Sequence, residues 1–337
     1  MARRVIGQLS LADSIAGGGG RSSERLSALD RLVDWRALDR VVVPLEPSRY
    51  GAPGYPPLLL LKALLLQQWY GLSDPGLEDA LADRLSFRRF VGLPLDEAVP
   101  DHSTICRFRG ALREVGLTEA VFAEITRQID AKGLIVRRGT LVDATLVPAN
   151  VKRPAKPKEE AAPSDGTARS QPASANQTCR SPTDPDAEWT KKNGKTHFGY
   201  KGHVGVDEGS GIIRSAKLTG ASVNDTVVAD ELIRGDERAV YGDQAYSTHR
   251  RRTALRQRGC KDRIMHRANK HHGLTTRQKQ RNRGIAKRRA PVERVFAIAK
   301  RVCQWTRVRY IGLARNAAHF LLLCAAINLR RWAVLAA

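Results

Sequence analysis

Cysteine is scarce in this chain and carries no pattern. The five residues, Cys106, Cys179, Cys260, Cys303 and Cys324, form no CxxC pair and no Cys/His set at zinc spacing. Their odd number argues against a closed disulfide framework, so free thiols in a reducing cytoplasm are expected. Long apolar runs are also missing. The run at 58–66 is broken by Lys62 and that at 320–327 is short. Neither approaches the roughly 20 residues that cross a bilayer, and both are expected to be buried helices. The opening MARRVIGQLSLAD leads into glycines instead of an apolar segment with a small-residue cleavage site, so no secretory signal is expected. Acidic residues are few beside basic ones: 34 Asp and Glu against 57 Lys and Arg give a formal charge of +23.

What is abundant is positive charge, and it is clustered. Between Arg250 and Arg309 there are 21 Lys and Arg and only two acids, Asp262 and Glu293. Like charges at that density repel unless phosphates or counterions neutralise them, which points to nucleic acid as the partner.

At 337 residues the chain has room for about two domains. Residues 1–50, with the run Gly17 to Gly20, are expected to form an N-terminal arm with a short helix at 26–38 and little core of its own. Residues 51–135 are expected to be an all-helical module. One helix covers 58–70, a second runs from the Ser73-Asp74-Pro75 start to about 91, a third is capped by Asp101, and a fourth opens at Thr118 and ends near Gly133. Arg107, Arg109 and Arg113 on the third would be exposed, as on a helix that enters a DNA groove, although such helices more often pack than read bases.

From 136 to 337 the period shortens to that of strands. Residues 140–147 form a β-branched run, 198–206 and 212–218 a hairpin across 207–211, and 239–241 a short buried strand. Helices fit at 224–233 and 247–257, with a fifth strand near Ile264. Three antiparallel strands followed by helix, strand, helix and strand give an α/β fold with a mixed five-stranded sheet in the ribonuclease-H-like order. Residues 152–188, rich in Pro, Ser, Ala and charge, are expected to be a disordered insertion in that domain.

Three acids stand out. Asp143 lies in LVDATLV, inside a predicted central strand, where a bare carboxylate costs several kcal/mol to bury unless it meets a cation, a proton or strong hydrogen bonds. Asp243 follows an apolar strand in AVYGDQAYS, at the carboxyl end where open α/β sheets gather ligands, or else it caps the next helix. Glu293 occurs in RRAPVERVFAIAK. Pro291 suits a first helical turn, which places Glu293 early in a helix with Lys300 seven residues on along the same face; complementing the helix dipole is the alternative role. Phosphodiester chemistry with two hard divalent cations needs such carboxylates and no His or Cys ligand. Lys201 and His203 alternate onto one face of their strand, pointing either at this site or at the surface. His271 and His272 sit in a basic loop and are expected to face solvent or phosphate.

An Asp in a first strand, a second Asp after a later strand and a Glu on a following helix resemble the DDE triad of transposases and retroviral integrases. The local words PDHSTICRFRGAL, DPDAEWTKKNGKTHFGYKGHVGVD, YGDQAYS and VERVFAIAK resemble the insertion-sequence-five family of bacterial transposases over residues 50 to 330. Arg289, Glu293 and Lys300 stand at the intervals of that family's third-carboxylate signature, but position 286, where the pattern carries a tyrosine, is Ala286. The resemblance implies DNA strand cleavage and strand transfer at insertion-sequence ends with two Mg²⁺ or Mn²⁺ ions on Asp143, Asp243 and Glu293. By the same implication and by their charge, Arg289, Lys300, Arg294 and Lys201 would bind DNA phosphates. The implied partners are double-stranded DNA and a second subunit in a homodimeric synaptic complex, with the protein cytoplasmic and at the nucleoid when bound. A catalytically inactive DNA-binding descendant and a ribonuclease-H-fold nuclease are the competing functions.

Overall fold

The structure is a computed structural model and describes residues 21–45, 54–152, 183–192, 194–268 and 272–337. Where a single short helix is expected near the start, the described residues form two: α1 (Arg21–Leu32) and α2 (Trp35–Val42). Asp34 separates them because its side chain accepts the Ala37 N–H at 3.2 Å, the bond of a helix cap. Leu26, Leu29, Val33, Leu38 and Val42 are buried, so this stretch joins the core.

The apolar run after Pro56 becomes α3 (Pro57–Tyr70), buried at every position from Leu59 to Trp69. A helix apolar all round belongs in the middle of a fold. Its one lysine is explained by α1: Lys62 Nζ lies 2.7 Å from Asp30 Oδ1 and 4.3 Å from the centre of the Trp35 ring. The expected second helix divides at Arg84 into α4 (Asp74–Asp83) and α5 (Leu85–Val91). Asp101 caps α6 (His102–Glu114), and α7 (Leu117–Ala131) follows Gly116.

Among the described residues the sheet has six strands: β1 (Thr140–Pro148), β2 (Glu188–Lys192), β3 (Lys195–Asp207), β4 (Ile213–Gly220), β5 (Ala239–Gly242) and β6 (Lys261–Ile264). β3 lies antiparallel to both β1 and β4, whereas β5 runs parallel to β1 and β6 parallel to β5. β2, the strand that the sequence did not suggest, pairs with the first residues of β3. Helices α8 (Asp225–Leu232) and α9 (His249–Gln257) connect β4 to β5 and β5 to β6. The chain closes with α10 (Thr276–Ala297), a π turn at Ile298–Val302 and α11 (Leu313–Leu335).

The expected disordered insertion falls mostly outside the described residues, but its last few are built into the fold. Tyr200 donates its hydroxyl to Asp184 at 2.6 Å, and Asp186 accepts the Leu313 N–H at 2.8 Å, fastening the start of α11. These two acids have partners across the fold that composition alone does not reveal.

α11 contains the second apolar run. It is long and apolar enough to cross a membrane by length and composition, and two thirds of that stretch is buried inside the protein. It packs against α3, α7 and β4, and Ala326 accepts the Trp69 indole N–H at 2.7 Å. Asn328 closes on β4, exchanging two 2.8 Å hydrogen bonds with the backbone of Ile213. One hydrophobic cluster therefore runs from the helices into the near face of the sheet, and a smaller one, with Val142, Val240 and Leu232, lies under α8 and α9.

Candidate active site

Leu141 pairs with Tyr241 in the parallel β1–β5 ladder, and the register extended by two positions sets Asp143 across from Asp243. β5 ends at Gly242 while β1 continues to Pro148, so a crevice opens beside Asp143 at the carboxyl end of β5. Asp243 accepts the Ala245 N–H at 2.8 Å and thereby starts a short 3₁₀ turn, so the capping role weighed from its sequence is real. Only one of its oxygens is used that way.

Burial pushes the Asp143 carboxyl above its ordinary value, and the neighbouring Asp243 charge pushes the same way; Arg289 opposes both. Arg289 Nη2 lies 3.2 Å from Asp143 Oδ2. Lys192, at the end of β2, also lies within electrostatic range of Asp143 and of Lys300.

Arg289 comes from α10, which packs on β1 and β5. Contrary to the sequence expectation, this helix does not begin at Pro291. It starts from a capping box between Thr275 and Gln278 and carries Pro291 in its interior. The proline removes one backbone donor, but buried Ile285, Val292 and Val295 hold the helix across it. Glu293 consequently lies well inside the helical run, which the π turn carries on to Val302, beyond the reach of either end's dipole. Its side chain is exposed, one turn beyond Arg289 and on the same side of the helix. Among the described residues no three His, Cys, Asp or Glu side chains converge closely enough to hold a metal ion. The structure thus brings Asp143 and Asp243 together and packs the helix of Glu293 against their strands, without drawing its carboxylate into the pair.

Lys300 lies in the π turn, a distortion common at functional positions. Its ammonium donates to Thr145 Oγ1 at 2.8 Å and to the Leu146 carbonyl at 3.3 Å. Burial, then Lys192, lowers its pKa. The segment beyond is seated by Trp305, stacked on Phe320 at 4.8 Å and lying over Gly202, where a Cβ would come within 2.8 Å of the indole.

Two of the expected phosphate ligands are placed elsewhere. Lys201 and His203 do share a face, but it is the one opposite Asp143, because the residue registered against Asp143 is Val204. The Lys201 ammonium is 2.9 Å from Asp225 and donates to the Val223 carbonyl at 2.7 Å. Arg294 is exposed five residues past Arg289, which turns it toward Arg331 and away from Asp143. Arg109, expected on a groove-facing surface, is buried and bonded to Asp74. Arg107 is exposed, His272 is exposed, and His271 lies outside the described residues.

The family models settle the affiliation. The Transposase DDE domain matches residues 135–329, more than half of the chain, and the Transposase domain (DUF772) matches residues 20–111. The chain belongs to the DDE transposases. It acts on DNA in transposition, by cleavage and strand transfer, and its family depends on divalent metal ions. No solved structure matches the transposase.

Sequence reasoning missed the residues of the transposase that hold the loop after Asp243. Buried Arg251 donates to the carbonyls of Tyr246 at 2.7 Å and Thr226 at 2.6 Å, tying that loop to α8. The Tyr246 hydroxyl is buried without a hydrogen-bond partner, within electrostatic range of Asp225, Asp143 and Asp243, and burial raises its pKa far above the ordinary value. The only sequence signal was proximity, since YGDQAYS carries Tyr246 three residues after Asp243.

Proposed function

We propose that Asp143, Asp243 and Glu293 are the catalytic carboxylates of a ribonuclease-H-like transposase and that they hold two divalent cations, Mg²⁺ or Mn²⁺, at the carboxyl end of β5. The observation that carries the proposal is the Asp143–Asp243 pair, set side by side by the parallel register under a helix that bears Glu293. The residues fit a cation. Two carboxylates stand together, burial disfavours the Asp143 charge, one Asp243 oxygen is left over from its cap, and a phenol hydroxyl and the Arg289 Nε stand nearby without partners. The antiparallel β4-β3-β1 set joined to parallel β5 and β6 supports the fold assignment.

The cations would supply activation of water or a DNA 3′-hydroxyl and stabilisation of the leaving oxygen. Arg289, 3.2 Å from Asp143, would grip a non-bridging phosphate oxygen, and Lys300 would add a point charge beside Thr145. Tyr246 stays protonated and can donate a hydrogen bond into the crevice. Lys201, engaged by Asp225 on the other face, and Arg294, turned toward Arg331, have no part in holding the scissile phosphate. The helices of residues 57–131 would act as a DNA-binding module, with exposed Arg107 beside the duplex, and two subunits would pair the inverted-repeat ends in a cytoplasmic synaptic complex.

The test is cleavage of a labelled duplex carrying the element's own end, with Mg²⁺, with Mn²⁺ and with EDTA. Metal-dependent nicking at the end that disappears in Asp143→Ala is expected. Binding without cleavage under every metal condition would overturn the proposal in favour of an inactive DNA-binding descendant.

A further inference from the structure

At the other end of β5 from Asp243, on the same α10-covered face, a cavity of about 510 Å³ opens between the starts of β5 and β6 and helix α10. Six of its lining side chains are cations and a single one, Glu208, is an acid. Two of the cations are spoken for. Arg288 pairs with Glu208 at 2.8 Å, and Arg281 donates at 2.8 Å to the carbonyls of Ile264 and Asp262. The other four, Arg138, Arg238, Lys261 and Arg263, are exposed, and their side chains make no hydrogen bond or ion pair among the described residues. They come from three separate chain segments: the approach to β1, the approach to β5 and the edge strand β6. A fold that gathers four unpartnered cations around one cavity carries a repulsion that only an anion relieves.

Lys261 and Arg263 are two apart on β6, about 6.6 Å, a separation that lets them reach neighbouring phosphates of one DNA strand. From Ala239 at the cavity to Asp243 is four residues of chain, about 13 Å, or about four base pairs. Helix α10 spans the same interval, with Arg281 and Arg288 at the cavity and Arg289 at Asp143. We infer that this cavity is a second seat for the backbone of the duplex being cut, taking phosphates about four base pairs from the scissile one. The inference rests on the Asp143–Asp243 end being the catalytic one, but its test does not require catalysis.

Binding of a 40-base-pair duplex carrying the element end is measured in EDTA over a range of salt, for wild type and for Arg138→Gln/Arg238→Gln/Lys261→Gln/Arg263→Gln. Each lost phosphate contact lowers the slope of log affinity against log salt by about 0.9. A fall of about two or more is expected, with loss of ethylation interference about four base pairs from the cleavage position; a smaller fall overturns the inference. Should the quadruple variant fail to fold, Glu208→Gln decides. It removes the acid and frees Arg288, so a slope steeper by about one supports the cavity and an unchanged slope overturns it. Wild type that binds with the full slope but never cleaves would count against the catalytic proposal alone.

Discussion

Arg289 Nη2 lies 3.2 Å from Asp143 Oδ2, and this single ion pair joins the helix that bears Glu293 to the strand at the centre of the sheet. Both side chains are mostly buried, so neither charge is easily left alone. Arg289→Met is expected to cost about 1 to 3 kcal/mol, because it strands a carboxylate beside Asp243. Without Arg289 the Asp143 carboxyl, already raised by burial, rises further. A raised carboxyl takes up its proton in the folded state first, so the deficit is largest at alkaline pH and shrinks as pH falls through the raised pKa. Urea unfolding at pH 8 and pH 5 measures this, and adding Asp143→Asn should recover most of the loss. A deficit independent of pH, unmoved by the second substitution, would separate Arg289 from Asp143.

Glu293 makes the opposite prediction for stability. It is exposed on α10 and, with the π turn carrying the helix on to Val302, stands away from either helix end. Glu293→Gln should leave the unfolding free energy unchanged while cleavage of element-end DNA falls by about a hundredfold or more, the scale for losing one group that stabilises transition-state charge. Loss of stability together with retained cleavage would reduce Glu293 to a structural residue.

Much of this was legible in the sequence where local chemistry decides. The runs at 140–147, 198–206 and 239–241 are strands, Asp101 caps α6 as its place in the sequence suggests, and both apolar runs are buried helices. What was not legible depended on distant partners. Pro291 reads as a helix start until the packing of Val292 and Val295 is seen, and Asp184 reads as loop until Tyr200 reaches it. Lys201 reads as a free cation until Asp225 comes up from the next helix. At the site, Asp143 and Asp243 are marked by apolar neighbours, whereas Tyr246 and Arg251 matter through contacts that no local pattern encodes.

His203 supplies a pH dependence. It is wholly buried, with Nε2 3.0 Å from the Thr219 hydroxyl. Burial lowers its pKa to about 4; the surrounding charges of Asp225, Lys201, Lys217 and Glu231 act in both directions. The unfolded chain therefore binds a proton between about pH 6.5 and pH 4 that the folded chain refuses, so stability is full above this window and declines as pH falls through it, by up to about 3 kcal/mol. Unfolding of wild type and His203→Gln compared at pH 7 and pH 4.5 isolates the effect from the carboxylates common to both. Parallel losses in the two proteins would show that the imidazole is not responsible.

Arg109 decides between two roles for α6. A basic residue on a helix of a DNA-acting protein invites assignment to the duplex, but here Nη1 is 3.0 Å from Asp74 Oδ2 and Nη2 is 3.3 Å from the Gln67 amide oxygen. Its guanidinium carbon lies 5.2 Å from the centre of the Tyr310 ring. Burial alone would raise the Asp74 carboxyl, but Arg109, with Gln67 and Arg309, holds that carboxyl below its ordinary value. One side chain thus fastens α3, α4, α6 and the segment before α11. Removing one member of a buried pair costs about 3 to 5 kcal/mol, since the other charge stays behind. Arg109→Met should show that loss in urea unfolding, Arg109→Lys should not restore it because an ammonium cannot reproduce the planar fork, and Asp74→Asn should recover part of it. If the residue instead faced bases, Arg109→Met would unfold like wild type and change only the preference among DNA ends.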